Sequence, residues 1–543
     1  MKNFANLLWA WTLLAIVTAH FGTPAQAREE TPETWFSEGQ RAVQEAKQHQ
    51  PKTARAKNII LFVGDGMGIS TITAARILDG QLRGENGEEN SLSFKKLPYS
   101  ALSKTYSVNQ QVPDSAPTMT AMVTGVKTKD AMISVSQRAE RGDHKSVAGN
   151  ELPTVLEIAK HAGKSVGLVT TTRITHATPA ACYAHSPERD WESDAEMPSE
   201  ARAANFPDIA RQLIEFESGI DVVLVGGRGK FLPRNIADHA DKTKFGSRLD
   251  GRNLIEEWME KSGGSFVKNR AQLDAVVAGK TKRLLGLFNH SHMQYEHDRV
   301  QKELSEPSLS EMTAKAIEIL EQNENGFFLM VEGGRIDHGH HSGNAFRALT
   351  ETIEFSRALE TALKKINLEE TLMIVTADHS HTLTLSGYPK RGNDIVGLVV
   401  GNGHSDEDIL GSDVDAMGLP YTTLSYANGP GFCGASNEQD EGAKQFPHEP
   451  KTFSRQTSPR ADLKSIDTAH PDYMQEAMLP RKTETHGGED VVIFADGPGA
   501  YLFRGVVEQN FIFHVMLEAA QLSPMPISKQ ISSVVPVTIP QGN

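Results

Sequence analysis

The chain has 543 residues, 38% of them hydrophobic, and a formal charge of −14. That much apolar sequence supports a large core and excludes a disordered chain, and the length suits one big domain carrying insertions. The acidic balance, with no basic cluster to release counterions from a phosphate backbone, excludes nucleic acid as a partner.

In chain order, Lys2, an apolar stretch over 7–17 and the small residues Ala25 and Ala27 read as a signal peptide cleaved after Ala27, which implies a periplasmic or secreted protein. The stretch is too short for a membrane anchor. Thr31 as cap and Pro32 in the first turn start a helix through Lys47.

Short apolar runs follow at 58–63, 165–170, 221–225, 327–331, 372–376 and 491–494, and their near-continuous hydrophobicity predicts buried parallel strands. Helical periodicity appears between them at 152–161, 204–217, 310–322 and 345–365. The alternation predicts an α/β fold, a three-layer α/β/α sandwich around one large, mostly parallel sheet. From about 390 to 485 the pattern loosens into Gly, Asp, Pro and Ser, which reads as an irregular crown-like insertion within a single domain over 28–543. Its acidic run at 405–415 lacks the ligand order of a calcium loop and reads as a solvated loop.

Cys182 and Cys433 are the only cysteines, so no disulfide framework supports the fold and their pairing stays open. Their scarcity also excludes a thiolate metal site. His, Asp and Glu remain as ligands.

In parallel sheets the ligand site lies beyond the carboxyl ends of the strands. Here those exits carry Asp65, Thr171, Glu332 and the pair Asp378 and His379, a concentration of ligand chemistry at one edge. Asp337 and His341 are four residues apart, so one helical turn puts both on one face toward a single metal. His381 can either orient a ligand or be one. Asp65 lies among glycines that let the chain turn sharply, and a carboxylate there could bridge ions. Ser115 stands just ahead of a helix-forming stretch at 118–126. A serine there is ordinarily a cap; beside a metal it becomes an activated nucleophile, next to a helix N-terminus that attracts phosphate.

The runs 58–70, 113–115, 170–180, 327–341, 376–381 and 485–488 together resemble the alkaline phosphatases, and the animal-type branch more than the enteric bacterial one. The resemblance implies a phosphate monoesterase with two zinc ions and one magnesium. It implies Asp337, His341 and His486 as ligands of the first zinc, and Asp378, His379 and Asp65 as ligands of the second. Magnesium would take Asp65, Thr178 and Glu332; Ser115 would be the nucleophile and Arg189 the phosphate clamp, with His176 and His338 flanking the metals. A homodimer is expected from the family. A calcium site of the animal enzymes uses a Glu after a Phe, whereas this chain has Phe288 and Asn289. No long apolar tail follows Gln521, so a lipid anchor is not expected. A phosphodiesterase of the same superfamily, or a non-catalytic phosphate- or zinc-binding protein, are the competing readings.

Overall fold

The computed structural model describes residues 30–216, 218–402, 413–457 and 460–525. The signal peptide over 1–27 and most of the acidic run at 405–415 lie outside the described residues. Residues up to Gln50 form a unit of their own. Within it Pro32–Gln48 is helical, started by Thr31, whose hydroxyl accepts from Thr34 N at 3.2 Å.

From Pro51 onward the chain builds a sheet of ten strands. Eight of them come first in chain order: β1 (Asn58–Gly64), β2 (Tyr99–Lys104), β3 (Ser165–Arg173), β4 (Val222–Gly226), β5 (Ser265–Val267), β6 (Leu284–Leu287), β7 (Phe327–Gly333) and β8 (Thr371–Ala377). Six short strands follow: β9 (Ser380–His381), β10 (Leu383–Leu385), β11 (Leu424–Gly429), β12 (Lys444–Gln445), β13 (Tyr473–Met474) and β14 (Ala477–Pro480). Then come β15 (His486–Gly487), β16 (Val491–Asp496) and β17 (Val506–Glu508). The large sheet runs β17-β2-β16-β8-β1-β7-β3-β4-β6-β5.

The central strands β1, β7 and β8 are buried along their whole length because both faces are covered. Ile59, Leu61 and Val63 of β1 face one core, shared with the helices Ser115–Thr124, Val155–His161 and Phe511–Ala520. Ile60 and Phe62 face the other, shared with Ile69–Gln81, Leu309–Leu320 and Ala345–Lys365. Period-two alternation thus splits one strand between two cores, each fully buried Ile or Leu contributing about 1.5–3 kcal/mol. The result is the expected three-layer sandwich.

Two expectations change. The run at 491–494 is not a parallel strand: β16 pairs antiparallel with both β8 and β2. It enters the sheet directly from the turn carrying His486, at the site end, so it must run backwards. The helix expected at 204–217 shrinks to Ile209–Glu215, started by Asp208, whose carboxylate accepts from Arg211 N. The stretch 390–485 contains β11 to β14, none of which joins the large sheet; β10, β11 and β14 form a sheet of three. Asp415, in the described part of the acidic run, is held by Arg460 and by the backbone of Met417 and Leu419.

Candidate metal centre and phosphate site

The site begins with strand register. β1 sits between β7 and β8 with Gly64 level with Gly333 on one side and Ala377 on the other. The residues that follow therefore leave the sheet side by side. Asp65 comes from β1 and Asp378 and His379 come from β8, all fully buried. Gly66 turns the first exit with φ +68°, and its N–H donates to Asp378 Oδ1 at 2.9 Å; a Cβ there would lie 2.3 Å from His381 Cδ2. Only glycine fits that turn.

β7 carries Glu332 one residue before its end at Gly333, level with Thr170 of β3. Thr170 and Thr172 donate to Glu332 Oε2, while Oε1 accepts no hydrogen bond among the described residues. The helix Arg335–His341 then carries Asp337 and His341 one turn apart, with His341 Nε2 3.2 Å from Asp337 Oδ1. His486, from β15, brings its Nε2 to 3.4 Å from the same oxygen and 3.1 Å from His341 Nε2.

Three clusters of ligand atoms result: Asp337, His341, His381 and His486; Asp65, Asp378 and His379; and Asp65, His176 and Glu332. Thr178 donates to Asp65 Oδ2 at 3.5 Å.

Ring tautomers decide whether these clusters fit a cation. His341 Nδ1 donates to Glu484 O at 2.6 Å, His486 Nδ1 to Pro113 O at 2.7 Å and His379 Nδ1 to Ser380 O at 3.2 Å. A carbonyl can only accept, so each ring, when neutral, carries its proton on Nδ1 and turns its Nε2 lone pair inward. Among the described residues, no hydrogen-bond donor reaches the buried Asp378 Oδ2 or Glu332 Oε1. Burial and the neighbouring Asp378 and Asp337 carboxylates push Asp65 well above its usual range, and burial pushes Glu332 up to about 7. Carboxylates clustered around inward-facing ring nitrogens are the donor set a divalent cation completes.

Ser115 is not ahead of its helix but its first residue, after Asp114 at the cap position. Its Oγ is 3.2 Å from His379 Nε2 and 3.4 Å from Asp65 Oδ1. Arg189 donates to Asp114 Oδ2 at 3.1 Å, and its other amino group lies 3.1 Å from His176 Nε2. His176 and His338 pack edge to face at 5.5 Å.

A family model described as alkaline phosphatase matches residues 56–522. The chain belongs to the alkaline phosphatase family. It is 45% identical over 505 residues to the tissue-nonspecific isozyme of alkaline phosphatase from Gallus gallus, spanning 92% of this chain and 91% of that one. To the Homo sapiens tissue-nonspecific isozyme it is 44% identical over 516 residues, spanning 94% and 92%. Among solved structures, Thermus thermophilus alkaline phosphatase matches with a TM-score of 0.61 at 26% identity, covering 88% of this chain and 94% of that one. Alkaline phosphatase from the Antarctic bacterium TAB5 shares the fold, with a TM-score of 0.55 at 23% identity, covering 87% and 99%. The chain is accordingly a phosphoric monoester hydrolase.

Residues around this family site that sequence reasoning passed over stand out. Glu484 is fully buried and pairs with His381 Nδ1, while His381 Nε2 reaches Asp337 Oδ1 at 2.7 Å. Burial works against a charged ring there, but Glu484 and Asp337 outweigh it and raise His381 to about 10. His381 thus orients Asp337. Its position two residues before His486 was the available signal for Glu484. His292 packs 4.2 Å from His338, and no spacing pointed to it. Asn289 donates its amide to Glu306 Oε1 at 2.6 Å. Both cysteines are free and buried. Among the described residues no helix is long and apolar enough to cross a membrane.

Proposed function

We propose that the chain hydrolyses phosphate monoesters through a covalent phosphoserine on Ser115, at a centre of two zinc ions and one magnesium. The observation that carries this reading is the placement of Ser115 Oγ 3.2 Å from His379 and 3.4 Å from Asp65, inside the donor clusters. Asp337, His341 and His486 would hold the first zinc; Asp378, His379 and Asp65 the second; Asp65, Thr178 and Glu332 the magnesium. When bound, these ions lower the pKa of the serine hydroxyl and of water and neutralise charge on the transferring phosphoryl group.

Arg189 binds two phosphate oxygens with its planar fork, held in position by Asp114. Ser115 Oγ loses its proton and attacks phosphorus. The P–O bond to the alcohol breaks, and the alcohol leaves after taking up a proton. Water then attacks phosphorus from the vacated side, the Ser115 oxygen recovers a proton, and inorganic phosphate departs. Two in-line displacements retain configuration. Only the phosphoryl group is gripped, so the range of alcohols is broad.

The same reading takes residues 28–543 as one phosphatase domain with a crown-like insertion over about 390–485. It further takes the protein to be exported after cleavage of the signal peptide. It takes the protein to work as a homodimer, with the helix Pro32–Gln48 and the insertion as contacts. Metal analysis paired with p-nitrophenyl phosphate turnover before and after chelation tests the centre, and acid-quench mass spectrometry tests for the adduct on Ser115. Full turnover of metal-free protein, or turnover with no adduct on any quench, overturns the reading.

A further inference from the structure

β11 lies outside the large sheet, yet two of its side chains reach the metal centre from behind. Tyr426 and Asn428 are two residues apart, so they project from the same face of the strand.

Tyr426 Oη lies 2.7 Å from His340 Nδ1, and the opposite ring nitrogen of His340 is 3.0 Å from Thr71 Oγ1. His340 is completely buried and belongs to the helix Arg335–His341, next in sequence to His341. Pinned at both nitrogens, its ring fixes the rotation of that helix about its axis. It also stacks on His381 at 4.8 Å. The helix makes a close approach on its other side, where a Cβ at Gly339 would lie 2.7 Å from Ala348 N.

Asn428 grips the other carrier of ligands. Its amide nitrogen donates to Thr485 Oγ1 at 2.9 Å, and its Oδ1 accepts from Thr485 N at 3.0 Å. This two-point clamp sits one residue before His486. Glu484 N donates to His341 O at 3.0 Å, closing the loop between the two carriers.

We infer that β11 is a positioning strand for the first zinc: Tyr426, through His340, and Asn428, through Thr485, set the spacing of His341 and His486. The two ligands come from segments 145 residues apart with no shared sheet ladder. β11 touches both and supplies the common reference. Neither Tyr426 nor Asn428 touches the reacting atoms. They act as outer-shell partners of the kind whose loss costs about 10–100-fold in metal affinity.

The inference rests on the metal assignment above, and the test separates the two. Holoenzyme of the parent, Tyr426→Phe, Asn428→Leu and Asn428→Asp is mixed with a chromogenic zinc chelator, and zinc release is followed alongside the thermal midpoint of each metal-free protein. The parent is expected to release two equivalents of zinc slowly. Tyr426→Phe and Asn428→Leu are expected to release one equivalent about tenfold faster and the other at the parental rate, with metal-free midpoints unchanged. Asn428→Asp keeps the acceptor for Thr485 N and should fall between Asn428→Leu and the parent. Met478→Ala, an exposed change on neighbouring β14, should behave as the parent. Parental release kinetics in both Tyr426→Phe and Asn428→Leu would overturn the positioning role, as would faster release of both equivalents with a lowered metal-free midpoint. A parent holding no zinc would overturn the metal assignment itself.

Discussion

The Nε2 atoms of His341 and His486 face each other at 3.1 Å, although the proton of each ring is committed to a backbone carbonyl on the far side. Two lone pairs at that distance repel. A cation between or beside them converts the repulsion into attraction, and Asp337 Oδ1, within 3.4 Å of both, supplies the balancing negative charge.

Metal removal is therefore expected to cost stability as well as activity. Binding at a thousand times the dissociation constant stabilises a fold by about 4 kcal/mol per site. Chelated protein should lose turnover and melt at a lower temperature, and zinc with magnesium should restore both. An unchanged melting curve after complete chelation would contradict the fit of these clusters to a cation.

Ser115 and Asp378 should separate chemistry from metal retention. Ser115→Ala is expected to lose turnover by on the order of 10⁴-fold while its zinc content stays near normal. Asp378→Ala removes a buried carboxylate whose Oδ1 also accepts from Gly66 N and His379 N, so both zinc and turnover should fall. Metal analysis beside steady-state kinetics reads the difference.

Arg189→Lys keeps the charge and loses the fork. A point charge cannot replace two parallel hydrogen bonds, so weakening of phosphate binding by about 1.5–3 kcal/mol is expected. Product inhibition by inorganic phosphate measures it directly. Inhibition as tight as in the parent would remove Arg189 from the phosphate clamp.

Away from the site, Glu351 makes a pH prediction. It is buried, accepts from Glu296 N, and burial raises its carboxyl from 4.5 to about 8. The folded state thus keeps a proton that the unfolded state releases, so this residue lowers stability as pH rises from about 4.5 to about 8 and no further beyond. Glu351→Gln should lack that slope. The stability gap between variant and parent, from urea unfolding at several pH values, should widen in favour of the variant across that window; a constant gap would show that Glu351 ionises freely in the fold.

Much of the site was legible because its signals are local. Asp337 and His341 are one helical turn apart, Asp378 and His379 are adjacent, and Asp65 and Glu332 end apolar runs whose length marks them as buried strands. The antiparallel course of β16 was not legible, since a short apolar run carries no direction. Glu484 and Tyr426 were missed for a related reason. Their partners, His381 and His340, lie 103 and 86 residues away, and no periodicity spans that distance.

Sequence alone determined the residue chemistry: which side chains can ligate, which can attack phosphorus, and which runs must be buried, because hydrophobic pattern and short-range spacing follow from backbone geometry within a turn or a strand. Tertiary structure alone decided the register that levels Gly64 with Gly333 and Ala377, the tautomers that aim His341, His379 and His486 inward, and the partners behind them. Those depend on distances of an ångström or less between segments remote in the chain, and only close packing of the folded core sets distances that finely.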